Sequence, residues 1–279
     1  MLEGQFSRTA IGAAGHRAAH QFVDGASVFV DPLAPRILGK DLESAIADGS
    51  DPARRRLRFF IALRSRIAED AARRAIGQGV RQIVVLGAGL DTFGYRVDPA
   101  ERLCVFEVDH PATQAEKRRR LAEAEISVPS HLVYAPCDFE TRSLGQALEE
   151  AGFDARAAGF FIWLGVTPYL TPDAVESTLR YVASLPGGAQ IVFDYVNPPE
   201  TIEAEATRAH HERMAARVAA LGEQFRGYFE TADLHRRLAA LGFDDVEDWG
   251  PRRIRERLAP GSPAGGDNGG HILRAARRV

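Results

Sequence analysis

The chain has 279 residues, of which 45% are apolar, and its formal net charge at pH 7 is −3. This length allows a full core as one α/β domain, and the acidic balance argues against nucleic acid as the main partner. No segment approaches the roughly 18 apolar residues of a membrane span, and the N-terminus lacks the apolar core of a signal peptide. Cys104 and Cys137 have no CxxC spacing, which indicates a reducing compartment. We expect a cytoplasmic protein without a membrane partner, whose oligomeric state the sequence leaves open.

Helical segments and short apolar segments alternate along the chain. Residues 1–80 and an insertion at 198–225 are predicted to be helical and to lie over the ligand edge of the sheet as a lid. The predicted strands are 82–86, 102–108, 131–135, 159–164, 190–195, 244–249 and 271–275. This alternation predicts a mostly parallel sheet, whereas the last two strands, separated by a short polar stretch and the glycine-rich patch 259–270, predict an antiparallel edge hairpin. We expect a single domain, 1–279, with an α/β core over 81–279.

The first predicted strand runs directly into a glycine loop, GAGLDT, at residues 87–92. A dinucleotide fingerprint, G-x-G-x-x-G/A, needs a third small residue so that a helix packs closely beside a pyrophosphate. Thr92 stands in that place. S-adenosylmethionine (SAM) has no pyrophosphate, so a G-x-G turn can pack against its compact shape. The loop favours SAM and leaves a nicotinamide dinucleotide as the alternative.

Acidic residues follow at the expected ends of the next two strands. Glu107 and Asp109 lie roughly 20 residues after the loop, where a carboxylate accepts hydrogen bonds from ribose hydroxyls. Ordinary strand-end acids are the alternative. Asp138 closes the third strand, within reach of an adenine amino group, and the backbone N–H of Phe139 can reach a ring nitrogen. Helix capping is the alternative role of Asp138, because a helical segment follows.

Five segments occur in the order and spacing of one protein family. They are FFIALRSRIAEDA, VVLGAGLDTFGYR, FEVDHPATQAEKRRRL, GVTPYLTPDAV and FETADLHRRLAALGF. From about Ser7 to its C-terminus, the chain resembles bacterial SAM-dependent methyltransferases related to leucine carboxyl methyltransferase, often described as polyketide-type O-methyltransferases. The resemblance implies a class I Rossmann-like fold with a mostly parallel seven-stranded sheet and a helical lid, with SAM as cofactor and a small molecule as acceptor.

The resemblance also implies roles for individual residues. Gly87 would lie against the amino-acid end of SAM, and Gly89 would keep the loop clear of the ligand. Asp109 would hold the ribose hydroxyls, and Asp138 with Phe139 would hold the adenine.

Two arginines would pair with the SAM carboxylate. They are Arg64 in the helical lead-in and Arg8, the best match to a basic residue near the N-terminus. One position departs from the family pattern: relatives that methylate protein phosphatases have a glutamate near the end of strand four, where this chain has Leu164. That departure weakens any transfer of substrate identity from those relatives.

Aromatic residues and histidines are the remaining site candidates. Trp163, Tyr169 and Tyr95 are candidates for the substrate pocket, although aromatic residues at strand ends are as often core. His210 and His211 have no third ligand at metal spacing, so no metal site is expected.

The predicted activity is transfer of the SAM methyl group to an oxygen of a small molecule, foremost a carboxylate. The resemblance to polyketide-type O-methyltransferases implies a role in secondary metabolism. In-line displacement needs alignment and exclusion of water and no catalytic triad. The alternatives are methylation of a hydroxyl or phenol, which His20 or His210 would assist from the lid, a non-catalytic SAM-binding module and an NAD-dependent oxidoreductase. Thr92 and the absence of a Tyr-x-x-x-Lys pair argue against the oxidoreductase.

Overall fold

The computed structural model describes residues 6–258 and 266–277. Its centre is a seven-stranded sheet in the order β3-β2-β1-β4-β5-β7-β6. The first five strands run parallel, and β7 runs antiparallel to both β5 and β6. The strands are β1 Gln82–Leu86, β2 Cys104–Asp109, β3 Leu132–Pro136, β4 Gly159–Trp163, β5 Ala189–Val196, β6 Asp245–Trp249 and β7 Gly270–Arg277. The predicted α/β fold with a mostly parallel sheet and an antiparallel edge is confirmed.

The strand order changes direction beside β1. This strand pairs with β2 on one side and with β4 on the other, so that Val84 lies opposite both Phe106 and Phe161. The strands β2 and β3 follow on one side of β1, and β4 begins the other half of the sheet. A crevice opens at such a switch point, outside the carboxyl ends of the strands, and ligands of open α/β sheets bind there.

Helices cover both faces of the sheet and the edge at its carboxyl ends. They are α1 Arg8–Val23, α2 Ala34–Leu38, α3 Leu42–Ser50, α4 Arg55–Gly77, α5 Pro111–Glu123, α6 Leu144–Glu150, α7 Pro172–Ser184, α8 Glu205–Ala220, α9 Thr231–Ala240 and α10 Pro251–Leu258. One buried apolar cluster joins the sheet to α6, α7 and α9, and a second joins it to α4 and α10. The strands β1 and β4 are buried along their whole length, as expected for parallel strands covered on both faces.

Three features differ from the sequence-based expectations. The polar stretch after β6 forms helix α10, whose Ile254 packs into the core. The strands β6 and β7 pair antiparallel at the edge as expected, with β6 outermost, but helix α10 lies between them in the chain, so they do not form a direct hairpin. The helical lead-in includes a loop between α1 and α2 that carries the fully buried Asp31. The part of the glycine-rich patch at 259–265 lies outside the described residues.

The described part of the chain contains no helix that is both long and apolar enough to cross a membrane. The stretch 198–225 is helical over α8 and continues as a loop from residue 221.

Candidate functional site

A cavity of about 1970 Å³ lies over the carboxyl ends of β1, β2 and β4. Its walls are formed by the loops after these strands and by residues of α1, α4 and α8. Pockets for a single small ligand measure roughly 300–1,000 Å³. The cavity therefore has room for a cofactor and an acceptor molecule side by side.

The glycine loop forms the floor of the cavity. Gly87 and Gly89 have φ angles of +61° and +46°, which side chains other than glycine rarely adopt. A Cβ atom on Gly87 would lie 2.3 Å from a methyl group of Val166, so the close approach also requires glycine. The amides of Gly87 and Ala88 donate to the carbonyl oxygen of Val108 at 2.7 and 3.2 Å, which joins the loop to the end of β2.

The segment after the loop differs from a dinucleotide site. The chain continues into a single 3-10 turn, Phe93–Tyr95, and not into an α-helix. A pyrophosphate site of the dinucleotide type uses the N-terminus of a long helix at this point. The NAD alternative thus lacks its structural basis.

Thr92 has a different role from the third glycine of the fingerprint. Its hydroxyl is buried and donates to the carboxylate of Asp31 at 2.6 Å. Arg17 of α1 donates to the same carboxylate at 2.8 Å and to the carbonyl oxygen of Leu90 at 2.7 Å. These contacts hold α1 over the glycine loop.

The two candidate ribose acids face different surroundings. Asp109 lines the cavity, is 9% exposed, and accepts hydrogen bonds from the amides of Gly89 at 2.5 Å and His110 at 2.7 Å. Burial raises the pKa of Asp109. Glu107 is fully buried outside the cavity wall and pairs with Nζ of Lys117 at 2.7 Å, and burial raises its pKa to about 7. Only Asp109 is placed to meet a ligand.

The residues after β3 also reach the cavity. Asp138 and Phe139 both line it. The Asp138 carboxylate accepts a hydrogen bond from the amide of Glu140 at 3.0 Å, so it caps a short turn. The helix expected to follow Asp138, over 140–151, is present but begins only at Leu144 with Ser143 as its cap, so Asp138 does not cap α6.

Arg64 projects from α4 into the cavity and is held by Asp194 of β5. Its Nη1 atom donates to Asp194 at 2.7 Å, and the other carboxylate oxygen accepts the amide of Gly165 at 2.5 Å. Gly165 has a φ angle of +71°, which favours glycine, and a Cβ atom there would lie 2.7 Å from Nη2 of Arg64. The geometry fixes Arg64 beside the glycine loop.

Arg8 begins α1, and its exposed side chain lies at the cavity wall. The carboxylate of Glu223, in the loop after α8, accepts hydrogen bonds from the amides of Arg8 at 2.7 Å and Thr9 at 3.3 Å. It also accepts from the hydroxyls of Ser7 at 3.1 Å and Thr9 at 2.5 Å. Glu223 therefore joins the two lid segments at the first turn of α1.

Replacing Glu223 with alanine is expected to weaken SAM binding by about 1 kcal/mol, because the first turn of α1 loses the kind of side-chain cap worth that much. Isothermal titration of SAM measures the affinity, and hydrogen exchange of the α1 amides reports the loosened turn. Glu212→Ala, an exposed change on α8, is the control. Equal affinity and equal exchange in both variants would show that this contact does not position α1.

The aromatic candidates divide between core and cavity. Trp163 is fully buried against Phe193, with ring centroids 6.1 Å apart, and does not line the cavity, so its placement in a substrate pocket is wrong. Its strand is covered on both faces. Tyr169 lines the cavity beside Phe225, and burial raises its pKa to about 12. Tyr95 does not line the cavity, and its hydroxyl forms a hydrogen bond with the hydroxyl of Tyr134 at 2.6 Å.

Three histidines besides His110 line the cavity: His16, His210 and His211. His20 does not, because it is fully buried and bonded to Asp24 at 3.0 Å; its expected reach into the pocket is wrong. Residues 6–258 and 266–277 contain no group of three potential metal ligands.

Sequence reasoning missed Asp194, Glu223 and His16 as site residues. Asp194 and Glu223 act on residues 130 and 215 positions away, and no local motif marks such pairs. His16 lies one helical turn from His20, and only the packing of α1 shows which of the two faces the cavity.

Comparison with known proteins identifies related sequences. The sequence profile of the leucine carboxyl methyltransferase family matches residues 10–183. YktD of Bacillus subtilis, provisionally named an S-adenosyl-L-methionine-dependent methyltransferase, is 38% identical over 64% of this chain and 59% of its own. A relative with the same provisional name, from Mycobacterium sp. (strain JLS), is 31% identical over 72% of this chain and 67% of its own.

The fold comparison covers nearly the whole molecule. A crystal structure from Thermobifida fusca, provisionally named a methyltransferase, has a TM-score of 0.59 and 17% identity, and covers 100% of this chain and 97% of its own. The match spans about three fifths of the length of the YktD relative. The profile covers more than half of the chain, and the chain belongs to the leucine carboxyl methyltransferase family of SAM-dependent methyltransferases.

Proposed function

We propose that the protein transfers the methyl group of SAM to a carboxylate of a small molecule and forms a methyl ester. One observation carries the choice of acceptor: no histidine that lines the cavity is oriented by a carboxylate in the described part of the chain. The histidines that do pair with carboxylates, such as His235 with Asp248 at 2.9 Å, lie elsewhere. A carboxylate acceptor needs no general base, because it is already ionised at neutral pH.

The cavity residues fit SAM as a ligand. We assign Gly87 and Gly89 to the amino-acid end, where the backbone must stay free of side chains. Asp109 is the partner of the ribose hydroxyls, and the turn at Asp138 and Phe139 is the partner of the adenine.

The amino-acid carboxylate of SAM is assigned to Arg64, with Arg8 as a second cation at the wall. Because Asp194 engages Nη1 of Arg64 at 2.7 Å, the guanidinium keeps further N–H groups for a ligand carboxylate. Leu164 at the end of β4 presents an apolar wall to the acceptor.

The chain's contribution to the reaction is alignment and exclusion of water. When bound, SAM supplies a methyl group activated by its sulfonium. A carboxylate oxygen forms a bond to that carbon, the carbon–sulfur bond breaks, and sulfur keeps the electron pair, so that no proton moves. Holding both molecules in line beneath α1, α4 and α8 can supply several kcal/mol of the barrier reduction.

Three of the histidines that line the cavity, His16, His210 and His211, are poor general bases. Burial, with the neighbouring Arg58, Arg64 and Arg217, lowers the pKa of His16 to about 4. Burial likewise lowers the pKa values of His210 and His211. An efficient base has a pKa near the operating pH, so deprotonation of an alcohol or phenol is disfavoured here.

We expect turnover to be nearly independent of pH from about 6 to 9, because a carboxylate acceptor is ionised above a pKa of about 4 and needs no proton removed. Below about pH 6.5 folding stability falls, since the unfolded chain takes up a proton that buried His16 binds only near pH 4. Initial rates with a parallel stability control measure the profile. A rate that rises steeply with pH would indicate a hydroxyl acceptor.

SAM, and not NAD or NADP, is expected to raise the melting temperature, because a ligand that binds only the folded state stabilises it by mass action. Thermal unfolding with each ligand at matched concentration is the measurement. Stabilisation by NAD alone would overturn the cofactor assignment, and stabilisation by SAM without turnover would indicate a non-catalytic SAM-binding module.

A further inference from the structure

A cationic seam forms the outer wall of the cavity, where the start of α4 meets α8. Five arginines and one histidine define it: Arg54, Arg55, Arg56, His210, Arg213 and Arg217. Two acids, Asp48 and Asp51, lie on the same wall. Five arginines against two aspartates give the seam a formal charge of +3, whereas the whole chain carries −3.

Part of this charge is already neutralised. Asp48 accepts a hydrogen bond from Nη2 of Arg217 at 2.9 Å and also pairs with Arg54, which bridges α8 to the start of α4. The guanidinium of Arg55 lies 4.6 Å from the ring centroid of Phe59. The carboxylate of Asp51 is engaged by a backbone amide, that of Ala53, at 2.8 Å.

Arg56 and Arg213 remain without such a partner. Within residues 6–258 and 266–277, neither guanidinium forms an ion pair with a carboxylate. His210 lines the same wall: burial lowers its pKa, and the charges of Arg213 and Arg56 lower it further. Arg56 and Arg213 are exposed and line the same cavity wall as His210, so this wall carries two cationic side chains without a carboxylate partner, and an anion bound there would reduce the repulsion between like charges.

An apolar wall lies beside the seam in the same cavity. It is formed by Phe59, Phe60, Met214 and Val218, and Leu164 continues it towards the glycine loop. An acceptor that reaches from the glycine loop to the seam would cross this wall, and its middle part would therefore be apolar.

Building on the proposed function, we propose that the acceptor carries a second anionic group, remote from the methylated oxygen, and that Arg56 and Arg213 bind this group at the seam. A carboxylate, phosphate or sulfate has the required chemistry, because each accepts charge-assisted hydrogen bonds from guanidinium groups. The methylated product keeps this anion.

The binding test uses protein saturated with S-adenosylhomocysteine and needs no turnover. Isothermal titration compares α,ω-dicarboxylic acids with monocarboxylic acids of the same chain lengths. We expect the diacid to bind about tenfold more tightly, the usual size of a charge-assisted hydrogen bond. The advantage should disappear in Arg56→Gln/Arg213→Gln and persist in Arg66→Gln/Arg236→Gln, which changes exposed arginines outside the cavity wall.

Equal binding of diacids and monoacids to the wild type, or an advantage that survives the seam substitutions, would overturn the proposal. A second readout uses methyl-labelled SAM with cell extract. A labelled product retained on an anion exchanger at neutral pH is expected. A neutral labelled product would overturn the proposal of a second anionic group, while methyl transfer itself would stand. If no labelled product forms, the result counts against the proposed methyl transfer, and the titration alone decides whether a second anion binds.

Discussion

Replacing Asp109 with alanine is expected to weaken SAM binding by about 1.5–3 kcal/mol, the usual value of hydrogen bonds to a charged group. The carboxylate lines the cavity and also accepts the amide of Gly89 at 2.5 Å, so the change removes the proposed ribose contact and loosens the glycine loop. Isothermal titration with SAM is the measurement.

Glu107→Gln on the same strand is the matched control. Glu107 pairs with buried Lys117 at 2.7 Å, and breaking a buried pair costs about 3–5 kcal/mol of stability. The control should therefore lower the melting temperature while the folded protein keeps its SAM affinity. If Glu107→Gln loses more affinity than Asp109→Ala, the ribose assignment fails.

Arg64→Lys is expected to weaken SAM binding by about tenfold or more, although the charge is kept. A guanidinium binds two carboxylates at once through its planar fork, and an ammonium cannot reproduce that geometry. Nη1 of Arg64 already donates to Asp194, so a lysine ammonium at this position could not hold both Asp194 and the ligand carboxylate in the same geometry.

Two further variants test whether the effect depends on how Arg64 is oriented and whether it is specific to the cavity. Asp194→Asn should also reduce the affinity, by less, because Arg64 then loses the partner that orients it. Arg66→Lys, on the exposed side of the same helix, should leave the affinity unchanged. Unchanged affinity in Arg64→Lys would move the carboxylate contact to Arg8 or elsewhere.

Contacts within one strand–loop unit were predictable from the sequence. β1 has the predicted bounds, and the glycine loop follows it because a buried apolar run ends at residues that tolerate positive φ. The acids after β2 show the limit of this reasoning. Glu107 and Asp109 have the same parity in the strand, and only the position of Lys117 on α5 decides which one is taken into an ion pair.

Features that depend on distant packing were not predictable. The apolar pattern around Trp163 is the same for a core strand and for a pocket wall, and the helices on both faces decide for the core. Helix α10 has mainly charged residues and is fixed by the burial of Ile254 against the core. The contact of Glu223 with α1 joins segments 215 residues apart, which no local pattern reveals.

Methyl transfer from SAM to a carboxylate can be tested by incubating the protein with methyl-labelled SAM and cell extract, treating the labelled product with mild alkali, and measuring released methanol. We expect label to be transferred and released as methanol, and His16→Ala and His210→Ala to reduce turnover by less than about tenfold. An alkali-stable product, together with a histidine variant that loses about 100-fold or more of its turnover, would overturn the carboxylate assignment and establish hydroxyl methylation.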